Sequence, residues 1–391
     1  MTGSPSGRAC PACGARAPDA FFHLRDLPVH GTAVFPNADL ARAVVTADQA
    51  LTLCDECGLI FNQDFDPTLL DYGGTHEESQ HHSPRFAAYA AELSAIWVGR
   101  YGLAGRTVVE VGCGAGDFAT ALLEAGVAAV TGIDPHFGPE RVPPALAGRL
   151  HAVPAMFDPS QVDRGTAAIV CRHTIEHVPD LAAFGASLRA AGAPVLLAEV
   201  PDVGRILDEG AFWDLQYEHC SNFTPATFAG YLRGCGFVPA VVRTTYEDQY
   251  VVIEAVPGEP RRQAEPEVVA DLRRRCTAFA RRVGGQIDHW ATWFDERATA
   301  GDEVVVWGGG SKGLTFLGVL TPHITPVQAV VDVNPGLQGN HLGGTGLPIV
   351  APATLRAEPP RSVVLMNPVY TGEVRATLDD LGLGATELLA L

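Results

Sequence analysis

Lysine is almost missing from this chain of 391 residues: Lys312 stands alone, and every other cation is arginine. A genome rich in G and C explains the general replacement. A lysine kept under that pressure points to a site that uses a compact ammonium rather than a planar guanidinium. Net positive charge is missing too. The formal charge is −18 and no basic face is visible, so a nucleic-acid partner is not expected. The only dense basic segments are Arg261-Arg262, Arg273 to Arg275 and Arg281-Arg282. Their spacing fits the solvated face of a helix. No apolar run approaches the ~20 residues that span a bilayer. The N-terminus lacks a charged stretch followed by an apolar one, so no signal peptide is expected. There is no internal repeat and no low-complexity tract. A cytoplasmic protein, a monomer or homodimer that binds neither membrane nor nucleic acid, is the expectation.

What is present is apolar material for real cores: 47% of residues are hydrophobic and 18% charged. The length suggests two or three domains. In a reducing compartment the nine cysteines are not read as a disulfide framework. Cys113, Cys171, Cys220, Cys235 and Cys276 are scattered, as small buried hydrophobes are.

The other four cysteines form two C-x-x-C knuckles, Cys10-Pro-Ala-Cys13 and Cys54-Asp-Glu-Cys57. Each presents two thiolates, and together they complete a closed tetrahedral zinc site. A closed four-sulfur site leaves no position for substrate. Its role is to stabilise a segment too small for a core of its own. Residues 1–66 otherwise read as loop-rich.

Phe86, Ala90, Leu93 and Trp97 recur at helical spacing, which predicts an amphipathic helix over 82–100. From 107 to about 256 strands and helices alternate, the rhythm of a doubly wound α/β sheet. Strands are expected at 107–112, 130–135, 167–173 and 194–200, with a closing antiparallel pair at 237–246 and 250–255. Thr224 and Pro225 read as the cap and first residue of a helix. A Pro- and charge-rich linker (257–267) leads to a helix over 266–298 and a second βαβ pattern. The domains are therefore placed at 1–70, 71–256 and 257–391.

The loop Glu110-Val-Gly112-Cys-Gly114-Ala-Gly116 follows a strand and opens a helix. Its spacing differs from the G-x-G-x-x-G of dinucleotide folds. Glu110 before the turn and Asp117 after it disfavour a phosphate and suit a cationic ligand. S-adenosylmethionine (SAM), with a sulfonium and an amino group, meets that description. Asp134 ends the next strand, where a carboxylate can accept both ribose hydroxyls. Phe157 and Asp158 stand where a third strand should end and are placed to flank an adenine. Cys171-Arg-His173-Thr-Ile-Glu176-His177 follows the fourth strand, whose carboxyl end faces the ligand crevice in such a sheet. Glu218 beside His219 forms a candidate base dyad, since a carboxylate can orient an imidazole and raise its basicity. The stretch Tyr72 to Arg85 holds three histidines and two glutamates, and reads either as a lid or as a second metal site.

Taken together, CPAC with CDEC, EVGCGAGDF, CRHTIEHVPD, DLQYEHCSNFTP, VVWGGGSKG, VVDVNPGLQGNHLGGTG and VVLMNPVY resemble the sugar C-methyltransferase family over nearly the whole chain. That resemblance implies a zinc-binding module, a class I methyltransferase sheet and a Rossmann-like C-terminal domain. It implies SAM and structural zinc as cofactors, and a nucleotide-linked 4-keto-6-deoxysugar as acceptor. The family's Glu-His base pair falls on Glu218 and His219, and its crevice histidine, which assists the enolate, on His177. His173 joins the cofactor set. Gly308 to Lys312, Asp332 and Asn334 become candidates for the nucleotide, with His82 and Tyr217 on the sugar side. The pattern departs from the family at Gln216, where a tyrosine often stands, and across His76 to Ser83, where a Tyr/Ser-rich lid is usual. Two other readings stay open: methylation at O or N of another metabolite, and a binding protein that keeps the fold without the chemistry.

Overall fold

The computed structural model describes residues 9–70, 79–261 and 265–391. Three sheets organise them. The first contains β1 (Phe22–Pro28), β2 (Thr46–Leu53) and β3 (Ile60–Asn62), joined antiparallel. These strands replace the loops expected for residues 1–66. Their sequences carry little period-2 signal. β2 is buried continuously over its last five residues, and β1 bends at Asp26, whose φ is +55°.

The second sheet has seven strands. β4 (Thr107–Val111), β5 (Ala129–Ile133), β6 (Leu150–Val153), β7 (Ala168–Arg172) and β8 (Leu196–Pro201) run parallel. The two-residue strand β9 (Ser221–Asn222) leaves this unit and pairs with β3, closing the first sheet. The N-terminal module is thus built partly from the seven-stranded unit that follows it. β10 (Phe237–Thr245) and β11 (Tyr250–Pro257) close the seven-stranded sheet antiparallel, in the order β10-β11-β8-β7-β4-β5-β6. Its central strands are buried on both faces, and this is why they read as unbroken apolar runs rather than alternating ones.

The third sheet is parallel throughout. β12 (Val304–Trp307), β13 (Val327–Val331), β14 (Ile349–Val350), β15 (Ser362–Leu365) and β16 (Glu387–Ala390) take the order β14-β13-β12-β15-β16.

Local signals set the helix ends near the site. The helix Pro84–Tyr101 starts at Ser83, whose hydroxyl accepts the Phe86 N–H at 3.3 Å, and stops at Gly102, left-handed at φ +61°. Thr224 caps the helix Pro225–Gly234 as expected, with Thr227 returning the bond to its backbone. The 35-residue helix Pro266–Ala300 runs between the units. Its Trp290 and Phe294 meet Phe212, Trp213 and Phe316 in one aromatic cluster, with ring centroids 5.3–6.2 Å from Phe316. Truncating one such ring to alanine costs about 3–5 kcal/mol, so this cluster fastens the C-terminal domain firmly. Among the described residues no helix is long and apolar enough to cross a membrane.

Candidate active site

The loops after β4, β5 and β7 open into a cavity of about 1010 Å³ whose opposite wall belongs to the C-terminal domain. Single small-molecule pockets span about 300–1,000 Å³, and this one stands at the top of that range.

On one side lies the glycine loop. Gly112 has φ +69°, and a Cβ there would fall 2.1 Å from the Thr174 hydroxyl. Only glycine lets the strand turn so close to the β7 loop. Glu110 is buried, and its Oε2 receives no hydrogen bond from the described residues. Burial, assisted by Asp117 and Asp134, pushes its pKa up to about 8 against the pull of Arg172. The Asp117 carboxylate accepts the Ser79 hydroxyl at 2.6 Å. Asp134 accepts the Gly114 N–H at 3.1 Å with one oxygen and the His136 N–H at 2.8 Å with the other. Three carboxylates thus surround a cleft with an orphaned buried oxygen, a donor set that fits a cationic, ribose-bearing ligand. Phe157 also lines the cavity, edge-on to Phe184 at 5.9 Å.

Two residues of the expected cofactor set stand elsewhere. Asp158 is exposed and caps the turn Pro159–Gln161 through the Ser160 N–H at 2.8 Å. A carboxylate ahead of Pro is better used on the free N–H groups of a helical turn than on an adenine. Gly116 does not line the cavity. At φ +83° it packs under Phe137, whose ring would meet an added Cβ at 2.7 Å.

On the other side His177 and His219 meet edge to face, with ring centroids 4.7 Å apart. Burial first, then His177, pushes the His219 pKa down to about 4, leaving it neutral and able to accept a proton. Glu218 lines the cavity but is not spent on His219. Its Oε1 lies 3.1 Å from His30 Nδ1, and its Oε2 accepts the Gly31 N–H at 3.2 Å. The expected dyad is therefore a Glu218–His30 pair. His30 sits in a loop without motif or periodicity, so no sequence signal marked it.

His173 adopts a left-handed backbone, φ +47°, a conformation that is costly for histidine and clusters at functional sites. Its Nε2 is 2.8 Å from Glu199 and its Nδ1 is 3.6 Å from Glu176. Burial opposes its charge, but the two carboxylates outweigh it and raise its pKa to about 9. Glu199, also unmarked in the sequence, is fully buried. Burial opposes its ionisation, yet Arg172 and His173 hold it down to about 2.

The C-terminal wall repeats the geometry of the first loop. Asp332, after β13, accepts the Gly309 N–H at 2.6 Å with one oxygen and the Asn334 N–H at 2.8 Å with the other. This is the Asp134 arrangement rebuilt in a second sheet. Asn334 lines the cavity, donates to the Ser79 carbonyl at 3.3 Å and accepts the Gly336 N–H at 2.8 Å. His82 stands exposed at the rim of the cavity. Lys312 reaches the cavity too, but its ammonium pairs with the buried Asp214, which also holds Arg205. That charge is already engaged, in contrast to the free partner expected for the nucleotide. Tyr217 is buried away from the cavity. Its hydroxyl accepts the Asp66 N–H at 2.8 Å and its ring meets Phe65 at 5.4 Å. An aromatic flanked by apolar neighbours has more to gain from the core than from solvent. Of the stretch read as a lid or metal site, residues 72–78, including His76, lie outside the described residues.

Away from the cavity, Cys10, Cys13, Cys54 and Cys57 bring their sulfurs within 4.8 Å of one another. Sγ atoms are 3.6 Å apart for Cys10 and Cys57, and 3.5 Å for Cys13 and Cys54. Zn–S bonds of about 2.3 Å give a tetrahedron with edges of about 3.8 Å, so the donors fit zinc. Both knuckles turn alike: Gly14 and Gly58 are left-handed, and each donates to the first cysteine's carbonyl at 2.9 Å.

Comparison with known proteins agrees with this architecture. Residues 79–241 match the family model of a methyltransferase domain. Sheet and domain match together show that the chain carries a methyltransferase domain of the class I fold. Residues 259–388 match the C-methyltransferase C-terminal domain. No curated protein matches the chain. Among solved structures it is similar to the 1,6-didemethyltoxoflavin N1-methyltransferase of Burkholderia thailandensis. There the identity is 19% and the TM-score 0.35, over 44% of this chain and 79% of that one. It is also similar to the magnesium protoporphyrin IX methyltransferase of Synechocystis, at 18% identity and TM-score 0.37, over 48% of this chain and 91% of that one.

Proposed function

We propose that the enzyme methylates the carbon next to the ketone of a nucleotide-linked 4-keto-deoxysugar. One observation carries the reading. A single cavity joins the carboxylate-rich loop of the methyltransferase sheet, the half-buried His219, and a second loop-and-aspartate site in the C-terminal domain. SAM, held by Glu110, Gly112, Gly114 and Asp134, supplies an electrophilic methyl group when bound. Glu110 and Asp117 balance the donor's positive charge. Asp134, each of whose oxygens keeps a lone pair beyond its backbone N–H bond, receives ribose hydroxyls. Zinc, held by the four cysteines, has a folding role only.

On the acceptor side, Gly309, Asp332 and Asn334 receive the nucleotide portion. His219 takes the proton from the carbon beside the ketone, and the electron pair moves onto the carbonyl oxygen as an enolate. His177, edge-on to His219, stands beside that oxygen. The carbanionic carbon would then take the methyl of a bound donor, whose carbon–sulfur bond breaks with its electron pair left on sulfur. A neutral imidazole is needed for the first step, and burial keeps His219 in that form.

The test uses a dTDP-4-keto-6-deoxysugar in heavy water. Wild-type enzyme should exchange the C3 proton for deuterium and, with SAM, transfer a methyl to that carbon. His219→Asn should lose both by about 10²–10⁴-fold, the usual contribution of a general base, while donor binding persists. Donor binding without exchange of that proton would end the reading.

A further inference from the structure

A buried carboxylate next to the proposed base is not used by the steps above. Glu176 sits in the turn Ile175–His177 and is 2% exposed. Neither of its oxygens receives a hydrogen bond from the described residues. Its charged neighbour, His173 Nδ1, stays 3.6 Å from Oε1, and buried acceptors are almost always satisfied, so a carboxylate without a hydrogen bond calls for a function. Its carboxylate and a ring nitrogen of each of His177 and His219 lie within 4.8 Å of one another. The Cys220 thiol donates to the Glu176 carbonyl at 3.4 Å, which ties the His219 loop to this turn. Glu218, the neighbour in sequence, is held instead by His30 and the Gly31 N–H.

We propose that Glu176, not Glu218, is the positioning residue for His219: its open oxygens receive the ring N–H that faces away from the acceptor. The inference rests on the reading of His219 as the base. In the step itself the acceptor C–H bond breaks and its proton goes to one imidazole nitrogen. The electron pair stays with the acceptor as an enolate. His219 becomes an imidazolium whose other N–H points to Glu176, so the new positive charge is met by an anion already in place. Such bonds are commonly long before substrate binds and tighten in the complex. The groups that face His219 are His177, Glu176, Glu218 and His173. His173 shares its charge between Glu199 at 2.8 Å and Glu176 Oε1 at the longer 3.6 Å, and the second Glu176 oxygen has no such partner among the described residues.

The experiment is nitrogen-15 NMR of the full chain with labelled histidine, His219 being assigned through His219→Asn. In wild type one tautomer of His219 should dominate. Glu176→Gln should redistribute the tautomers, and Glu176→Asp should restore them in part. Glu218→Gln should leave His219 as it is and shift the His30 signals. Turnover should fall on the order of 10²-fold or more in Glu176→Gln, with the acid limb of its pH profile displaced. A His219 spectrum unchanged in Glu176→Gln but altered in Glu218→Gln would overturn the assignment. So would a second equivalent of divalent metal, beyond that of the cysteines, that Glu176→Gln loses. The spectrum needs no acceptor, so it stands or falls separately from the sugar reading.

Discussion

Gly116 and Glu110 show how single residues on one loop divide the work. Gly116 faces the core, where a methyl group would strike the Phe137 ring at 2.7 Å on a left-handed backbone. Gly116→Ala should therefore destabilise the fold by about 1–3 kcal/mol through overpacking, read by denaturant unfolding. Adding Phe137→Ala should recover part of that loss, a coupling that a double-mutant cycle measures. Glu110 faces the donor. Its pKa rises from 4.5 to about 8 in the fold because burial disfavours the anion. The folded state thus holds a proton that the unfolded state gives up, so stability falls as pH rises between 4.5 and about 8. Glu110→Gln should remove that slope and raise the melting temperature of the ligand-free protein at pH 8.5. In wild type, SAM should stabilise more at pH 8.5 than at pH 6.5, because its cation meets an ionised partner. Thermal shifts at the two pH values check both statements, and an unchanged wild-type shift would remove Glu110 from the donor site. The spacing of Glu110, Gly112, Gly114 and Asp134 exposed this loop in the sequence. The different duty of Gly116 was hidden, because a glycine needed for packing looks the same as one needed for a ligand.

At the scale of elements, the core strands and the capped helices were legible, since long apolar runs and Thr-Pro or Gly boundaries carry their own physics. The helix expected over 82–100 forms as Pro84–Tyr101. The first sheet was not legible. β3 and β9 have three and two residues, and their partners are 160 residues apart in the chain, information that no local pattern holds. The arginines of the long helix were read as a solvated face. Arg274 fits that, but Arg273 reaches Asp55 at 2.7 Å and Arg275 reaches Asp208 at 2.9 Å, binding the helix to its neighbours. The β3–β9 pairing has a functional consequence, because β9 begins two residues after His219. Cys57→Ser, which opens one knuckle, should loosen β3, His30 and Gly31, and through them Glu218 and the base loop. Methyl transfer should be lost while SAM still binds, since the glycine loop belongs to the other sheet. Calorimetric titration beside an activity assay separates the two, and equal loss of both would show that the module supports the whole fold rather than the base.

At the scale of the molecule, the cavity exists only because the C-terminal domain is clamped onto the methyltransferase sheet. The clamp is specific. Gln249 and Asn367 exchange amide hydrogen bonds of 3.0 and 2.9 Å in a buried setting, and the hydroxyls of Tyr246 and Tyr370 meet at 3.0 Å. Glu373 accepts the Ser83 hydroxyl at 3.0 Å and the Arg85 N–H at 2.8 Å, at the start of the helix Pro84–Tyr101. Tyr246, Glu247 and Asp248 are all left-handed, a strained turn that the clamp holds in place. Gln249, Asn367, Tyr370 and Glu373 also line the cavity. Removing Asn367 by alanine leaves the Gln249 amide buried and unpaired, at a cost of about 1–3 kcal/mol. That energy is lost from the closed arrangement alone. The donor loop makes none of these contacts, so SAM affinity should stay within twofold. The acceptor must bridge both walls, so its KM should rise about tenfold for each 1.4 kcal/mol lost. Steady-state kinetics with a 4-keto sugar nucleotide, beside SAM titration, reads the split. A variant in which donor affinity falls in step with acceptor affinity would mean that the two loops form one site, and the twofold repetition of glycine loop and aspartate would then serve a single ligand.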